Sequence, residues 1–170
     1  MYDYQNKYQV IKNSKKKTIF LYSGSFLRWA CVQTLLNAVK LIKSNNFQIW
    51  FSGYGNDDLI KNAAKYDKRI KYFGLLSEIR LKTIFKKTDV FLNPRPVSIF
   101  ESTFNFPSKL FDYLSWQKPI ISTFTKGLSP EYKKVLHISG DSPKEFAKNR
   151  SKYIDNSLNF NINKTTKKKK

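Results

Sequence analysis

Apolar and polar positions along this chain follow two rhythms. Short runs dense in β-branched and aromatic residues are too short for buried helices and stop at Gly, Ser, Asn or Pro. They are Thr18 to Tyr22 (TIFLY), Phe47 to Phe51 (FQIWF), Ile70 to Phe73, Val90 to Leu92, Pro119 to Ser122 and Val135 to Ile138. Each predicts a strand. Between them, apolar residues spaced by three and four predict helices. Cys31, Leu35, Ala38, Val39 and Ile42 form one stripe from Trp29 to Ile42. Asp57 is placed to cap a helix through Tyr66, and Ser77 to cap one from Glu78 to Lys87 that carries Ile79, Leu81, Ile84 and Phe85. Pro107 to Trp116 reads as a proline-started helix, and Ser142-Pro143 opens a last one carrying Phe146, Ala147 and Tyr153.

Strands alternating with helices at this spacing predict an α/β fold. It is a doubly wound, Rossmann-like parallel sheet of six strands, with ligands at the carboxyl ends of the strands. The predicted domain spans 18–155. Residues 1–17 are polar and basic without a sustained period and read as a linker; 156–170, ending in four lysines, read as a basic disordered tail. No internal repeat suggests a solenoid.

A length of 170 residues with 41% hydrophobic content supports one domain with its own core. The net charge of +20 admits nucleic acid or an anionic membrane as partner. Its distribution argues less for either. Lys15 to Lys17 and Lys167 to Lys170 sit in the end segments, and most other lysines are scattered over predicted helix faces. Lys outnumbers Arg, and Asn, Ile, Phe and Tyr are plentiful, a mix that an A+T-rich genome produces unselected. The single cysteine, Cys31, excludes a disulfide framework and a multi-cysteine zinc site, and His137 alone makes no metal cluster, so no metal site is expected. No apolar run approaches the ~20 residues of a membrane-spanning helix. No signal peptide opens the chain. The expected location is cytoplasmic, with peripheral contact to the inner face of the cell membrane as an option.

The densest chemistry lies between Asp89 and Thr123. A buried strand halts at Asn93-Pro94-Arg95-Pro96, and after a polar and aromatic loop the amides of Ser108 and Lys109 point out of a helix start. Exposed amides, a hydroxyl and an ammonium together suit a phosphate. Lys109 and Asp112, three residues apart, either serve this site or pair as surface ions. Arg95 offers a planar fork to a phosphate or sugar, or braces the loop by pairing with Glu101. Ser23-Gly24-Ser25 ends the first strand, as a plain tight turn or as a place where amides approach a diphosphate. Arg28 stands at a helix start, where the helix dipole disfavours a cation unless an anion binds there.

The segment NPRP, followed by FPSKLFDYLSWQKPIIST, resembles the donor-binding half of the GT-B glycosyltransferases, the retaining family four, in residue type and spacing. Asp112 stands where that family usually has Glu, Gln117 replaces the usual Gly, Trp116 a small residue, and Phe104 the first acid of the family's acid pair. The resemblance implies the C-terminal half of a GT-B enzyme, a hexosyltransferase-like protein of polysaccharide biosynthesis. It would bind a nucleotide-diphosphate sugar, UDP- or GDP-linked, with no other cofactor, for transfer to a glycan or lipid-linked acceptor. Donor contacts would come from Gly24, Ser25, Arg28, Pro94, Arg95, Ser108 and Lys109 around the phosphates and sugar, from Gly74 and Leu75 at the base, and from Asp112 at the ribose. Glu101 is the candidate catalytic residue, at the donor-sugar hydroxyls. The family's acceptor pocket lies in a first domain, so this chain implies a truncated or split enzyme. The alternatives are a non-catalytic nucleotide-sugar-binding module, a subunit working with a separate first-domain chain, and a basic nucleic-acid-binding protein.

Overall fold

In a computed structural model of the chain, which describes residues 17–27, 31–97 and 106–154, the six apolar runs form one all-parallel sheet. The strands are β1 (Thr18–Ser25), β2 (Phe47–Tyr54), β3 (Ile70–Tyr72), β4 (Val90–Asn93), β5 (Ile120–Ser122) and β6 (His137–Ile138). Their order is β3-β2-β1-β4-β5-β6. The chain therefore runs outward from β1 to one edge, then returns to start the other half at β4. Among the described residues five α-helices cover the two faces: α1 (Val32–Leu41), α2 (Asp58–Tyr66), α3 (Glu78–Lys87), α4 (Lys109–Ser115) and α5 (Pro143–Ile154). The predicted α/β, doubly wound fold is the observed one.

Side-chain alternation divides the core between the two faces. Phe20, Tyr22, Phe47, Ile49, Phe51, Val90, Leu92 and Ile121 pack with α1, α2 and α5, while Ile19, Leu21, Trp50, Phe91 and Ile120 pack with α3 and α4. A shift of one residue in register would exchange the two sets. Both are apolar because a parallel sheet has helices on each face.

The boundaries differ from the sequence pattern where polar residues complete a ladder. β1 and β2 run on through Ser23-Gly24-Ser25 and Ser52-Gly53-Tyr54, which pair rung by rung, so the predicted glycine turns are the last rungs of two strands. Helix α1 starts at Val32, with Cys31 just before it at φ 50° instead of inside it, and Trp29 lies outside the described residues. Pro107 also lies outside α4: the Leu110 N–H donates to the Pro107 carbonyl and the Phe111 N–H to that of Ser108. That tight i→i+3 winding puts Ser108 at the cap position and Lys109 first in the helix. Asp57 and Ser77 occupy cap positions without side-chain cap bonds. The Asp57 carboxylate instead accepts from the Tyr72 hydroxyl at 2.5 Å and pairs with Lys61 at 2.9 Å. Ser142 does cap, its Oγ accepting from the Glu145 N–H and donating to the Glu145 carboxylate. A 3-10 turn at Pro130–Lys134 gave no periodic signal.

Part of the positive charge holds the fold. The Lys118 ammonium donates to the carbonyls of Phe85, Lys86 and Thr88 at 2.6–2.8 Å, closing the end of α3. Arg69 likewise binds the carbonyls of Val39, Ile42 and Ser44 at and beyond the end of α1, and pairs with Asp67. Cations belong at these ends, where unpaired carbonyls and the dipole are negative.

Candidate ligand site between the first and fourth strands

The strand order reverses between β1 and β4, and in open parallel sheets the crevice at that reversal is where ligands bind. Two short segments wall it here. The end of β1 supplies Ser23, Gly24 and Ser25. Beyond β4, the Arg95 N–H donates to Thr123 Oγ1 at 2.8 Å, and the buried Asn93 amide donates to Ser122 Oγ at 2.8 Å. These bonds fix the NPRP segment on the end of β5.

Helix α4 is aimed into the crevice by Tyr113. Its ring is fully buried and stacks on Phe91 with centroids 4.4 Å apart. Its hydroxyl accepts from the Ser23 N–H at 2.9 Å and donates to the Ser23 carbonyl at 3.1 Å. Lys109 precedes Tyr113 by four residues and so shares its helix face. Lys109 therefore points at β1, where its ammonium lies 4.0 Å from the centre of the Tyr22 ring. A methyl group built on Gly24 would stand 2.7 Å from that ammonium. Gly24 is the rung where β1 lets the lysine approach.

The surface-pair reading of Lys109 and Asp112 fails on this geometry. Lys109 turns inward and Asp112 is exposed. The ion pairs among the described residues are Asp57–Lys61, Asp67–Arg69 and Glu78–Lys82, and none includes Lys109 or Arg95. Burial, followed by the Arg95 guanidinium beside it, lowers the Lys109 ammonium to about 7. Burial pushes the hydroxyls of Tyr22 and Tyr113 and the thiol of Cys31 upward, so none of them supplies an anion at neutral pH. Arg95 Nε is itself buried without a hydrogen-bond partner. Two cations thus face one crevice, and among the described residues neither is held in an ion pair.

The other sequence candidates distribute around it. Ser108 is exposed at the start of α4, with no side-chain cap bond. Pro94 is buried behind Arg95. The Gly74 carbonyl accepts from the Gly53 N–H at 2.9 Å and from Ser52 Oγ at 3.0 Å, which ties the end of β3 to β2 and leaves Leu75 standing out, 74% exposed. Arg28 and Glu101 lie outside the described residues. Tyr22 and Tyr113 were not singled out from the sequence. The i,i+4 spacing of Lys109 and Tyr113 was the available signal for the second, and Tyr22 looks like any other strand residue.

The sequence profile of the family described as glycosyl transferases group 1 matches residues 17–156. The chain belongs to this family. No curated protein matches the chain in sequence. Solved structures share its fold. The catalytic domain of cholesterol-α-glucosyltransferase from Helicobacter pylori superposes with a TM-score of 0.62 at 16% identity, over 84% of this chain and 89% of that one. The C-terminal domain of a group 1 family glycosyl transferase from Francisella tularensis gives 0.58 at 16% identity, over 91% and 88%. An Anabaena protein, HepE, solved with UDP and glucose, gives 0.59 at 14% identity, over 83% of this chain and 40% of that one. The chain thus matches the fold of the C-terminal domain of a GT-B enzyme, and spans less than half the length of the Anabaena protein.

Proposed function

We propose that this domain binds a nucleotide-diphosphate sugar, UDP- or GDP-linked, and serves as the donor half of an enzyme that transfers the sugar to a glycan or lipid-linked acceptor. The observation that carries the reading is the pair Lys109 and Arg95, two cations at the strand-order reversal that no ion pair among the described residues includes. A diphosphate supplies a countercharge. The Anabaena neighbour with UDP and glucose supports the same ligand class.

The residue roles follow the family resemblance. Lys109 and Arg95 face the diphosphate, and the amides of Gly24, Ser25 and Ser108 lie along it. Arg28 and Pro94 are assigned to the same phosphates by the family resemblance. Asp112, exposed on the next turn of α4, accepts from the ribose hydroxyls. The backbone at Gly74 and Leu75 borders the base. Glu101 is assigned to the hydroxyls of the donor sugar. As the glycosidic bond breaks, charge builds on the departing diphosphate and on an oxocarbenium-like sugar. Fixed cations at the diphosphate then stabilise the transition state more than the bound donor.

A first domain completes the enzyme, whether on the same polypeptide or on a separate one. Leu27, Tyr54, Leu75 and Val97 are 44–74% exposed, and each ends or follows one of the first four strands. Together they place apolar surface along the rim of the crevice, and such surface marks a docking face. Phe106, just before α4, is half-buried against Phe111 and Tyr132. The enzyme works in the cytoplasm, with peripheral contact to anionic lipid. Among the described residues no helix is long and apolar enough to cross a membrane.

Scanning calorimetry with millimolar UDP, GDP and ADP tests the donor reading, because a ligand bound only by the native state raises its melting temperature by mass action. A rise with UDP or GDP supports it; no shift with any of the three overturns it.

A further inference from the structure

Tyr22 makes two contacts of different kind at the crevice. Its hydroxyl donates to the Ser25 carbonyl at 2.6 Å, closing the last two rungs of β1 around Gly24. Its ring face carries the Lys109 ammonium at 4.0 Å. Tyr22 itself is fully buried, and its ring is braced by Phe26 and Phe51 at centroid distances of 6.1 and 6.2 Å. One immobile side chain therefore touches both walls, the glycine strand end and the lysine of α4.

A lysine amine held against a ring and a glycine has given up most of its rotamer freedom before any ligand arrives. The aromatic face offers the ammonium a partner that is not a carboxylate, so the cation is held in place without being neutralised. A carboxylate in the same place would fix the amine too, but would cancel the charge an anion needs. We propose that Tyr22 is a positioning residue of the donor site: its ring presents the Lys109 ammonium, and its hydroxyl sets the Gly24-Ser25 strand end, to the same diphosphate. The proposal rests on the donor reading for its ligand, while the placement of Lys109 by Tyr22 stands without one.

The charged and titratable groups around Tyr22, Tyr113 and Lys109 come from every side of the crevice. Arg95 lies beyond β4, Tyr54 at the end of β2, and Asp112 and Tyr113 on α4 itself. Cys31 precedes α1, with Asp141 bearing on its thiol. Burial dominates for Lys109, with Arg95 second, so the amine titrates near neutrality only while it stays in this niche. Its titration thus reports its position.

Tyr22→Phe and Tyr22→Leu separate the two contacts. The ammonium is followed by NMR of ¹³C-methylated lysines, with Lys109→Arg assigning the signal, and UDP-glucose affinity is measured alongside. UDP-glucose is chosen because its diphosphate diester does not itself titrate near neutrality. In the wild type and in Tyr22→Phe the Lys109 signal titrates near 7. In Tyr22→Leu the amine leaves for solvent and titrates near the ordinary lysine value of about 10.4. Affinity falls about fivefold in Tyr22→Phe, the worth of one hydrogen bond at the strand end. It falls further in Tyr22→Leu. A Lys109 titration unchanged in Tyr22→Leu overturns the positioning role, as does an equal affinity loss in both variants. Titration that moves as stated while no form binds UDP-glucose upholds the placement of Lys109 by Tyr22 and contradicts the donor reading instead.

Discussion

The carbonyl of Gly24 occupies the space that a side chain on Gly53 would need. The two residues face each other on the last rung but one of the β1–β2 ladder, with φ of 149° and 145°. A methyl group on Gly53 would overlap the Gly24 carbonyl oxygen. Both the backbone angle and the overlap exclude a larger residue. The strand ends can draw this close, and the crevice keep its shape, only with glycine at this rung.

Gly53→Ala should therefore destabilise the fold by roughly 2 kcal/mol or more, since strained backbone and overlap with main chain add. Gly24→Ala meets the flexible end of Lys109 instead. It should cost ligand affinity more than Gly53→Ala does, relative to its loss of stability. Melting temperatures and UDP titrations of both variants check this contrast; equal stability of Gly53→Ala and wild type would show that the two strands part more easily than the geometry implies.

Arg150 should be dispensable for stability. It is fully buried, reaches the carbonyls of Phe146 and Leu35 only at 3.3 and 3.4 Å, and leaves Nη1 unpartnered. Burial, with Arg69 second, brings it down to about 9. No ion pair among the described residues includes Arg150, and a buried cation costs desolvation that an apolar side chain of similar volume does not. Arg150→Met should leave the melting temperature equal or raise it by a few degrees, roughly what 1 kcal/mol produces in a domain of this size. A fall of several degrees would show that the two carbonyl contacts outweigh desolvation.

Lys109 should give ligand affinity and stability opposite pH slopes. The charged amine binds the diphosphate, so UDP-glucose affinity is full below about 7 and declines as pH rises past it. Folding depresses this pKa from the ordinary lysine value, so between the two the unfolded chain holds more protons and stability rises with pH. The Lys109 contribution to stability is thus least favourable below about 7 and recovers toward alkaline pH. Subtracting the profiles of Lys109→Met from those of wild type isolates both slopes, and identical profiles would remove Lys109 from the site.

Asp112 and Lys109 should separate by ligand. Lys109→Ala should weaken UDP far more than uridine, because uridine has no phosphate. Asp112→Ala should weaken both, because both carry the ribose. Calorimetric titration of the two variants with the two ligands checks this, and unchanged ribose-dependent binding in Asp112→Ala would return that carboxylate to the solvated surface of α4.

How much of this was legible in the sequence varied with the physics behind each feature. The strands were legible because Phe47-Gln48-Ile49-Trp50-Phe51 and its counterparts are apolar on both faces, as a covered parallel sheet demands. Their carboxyl ends were misplaced because Ser23 to Ser25 and Ser52 to Tyr54 are small or polar, while their pairing is a backbone property. The start of α4 is not legible locally, because Pro107 fits a helix start, yet the bonds to the Pro107 and Ser108 carbonyls wind i→i+3 and leave Pro107 outside the helix. Lys109 was recognised as chemistry from its motif. Its inward direction depends on Tyr113 binding Ser23, a contact across 90 residues that no local pattern records. Tyr22 was invisible for the same reason.

The central claim is that Lys109 and Arg95 form an anion site that takes the diphosphate of a sugar nucleotide. Isothermal titration of UDP into the wild-type chain and into Lys109→Met, at pH 6 and moderate salt, tests it most directly. The account predicts one saturable site in the wild type and at least a tenfold weaker one in Lys109→Met, the loss of about 1.4 kcal/mol or more expected when a charge-assisted contact is removed. Equal affinity in the two proteins, or no saturable binding in either, would contradict it.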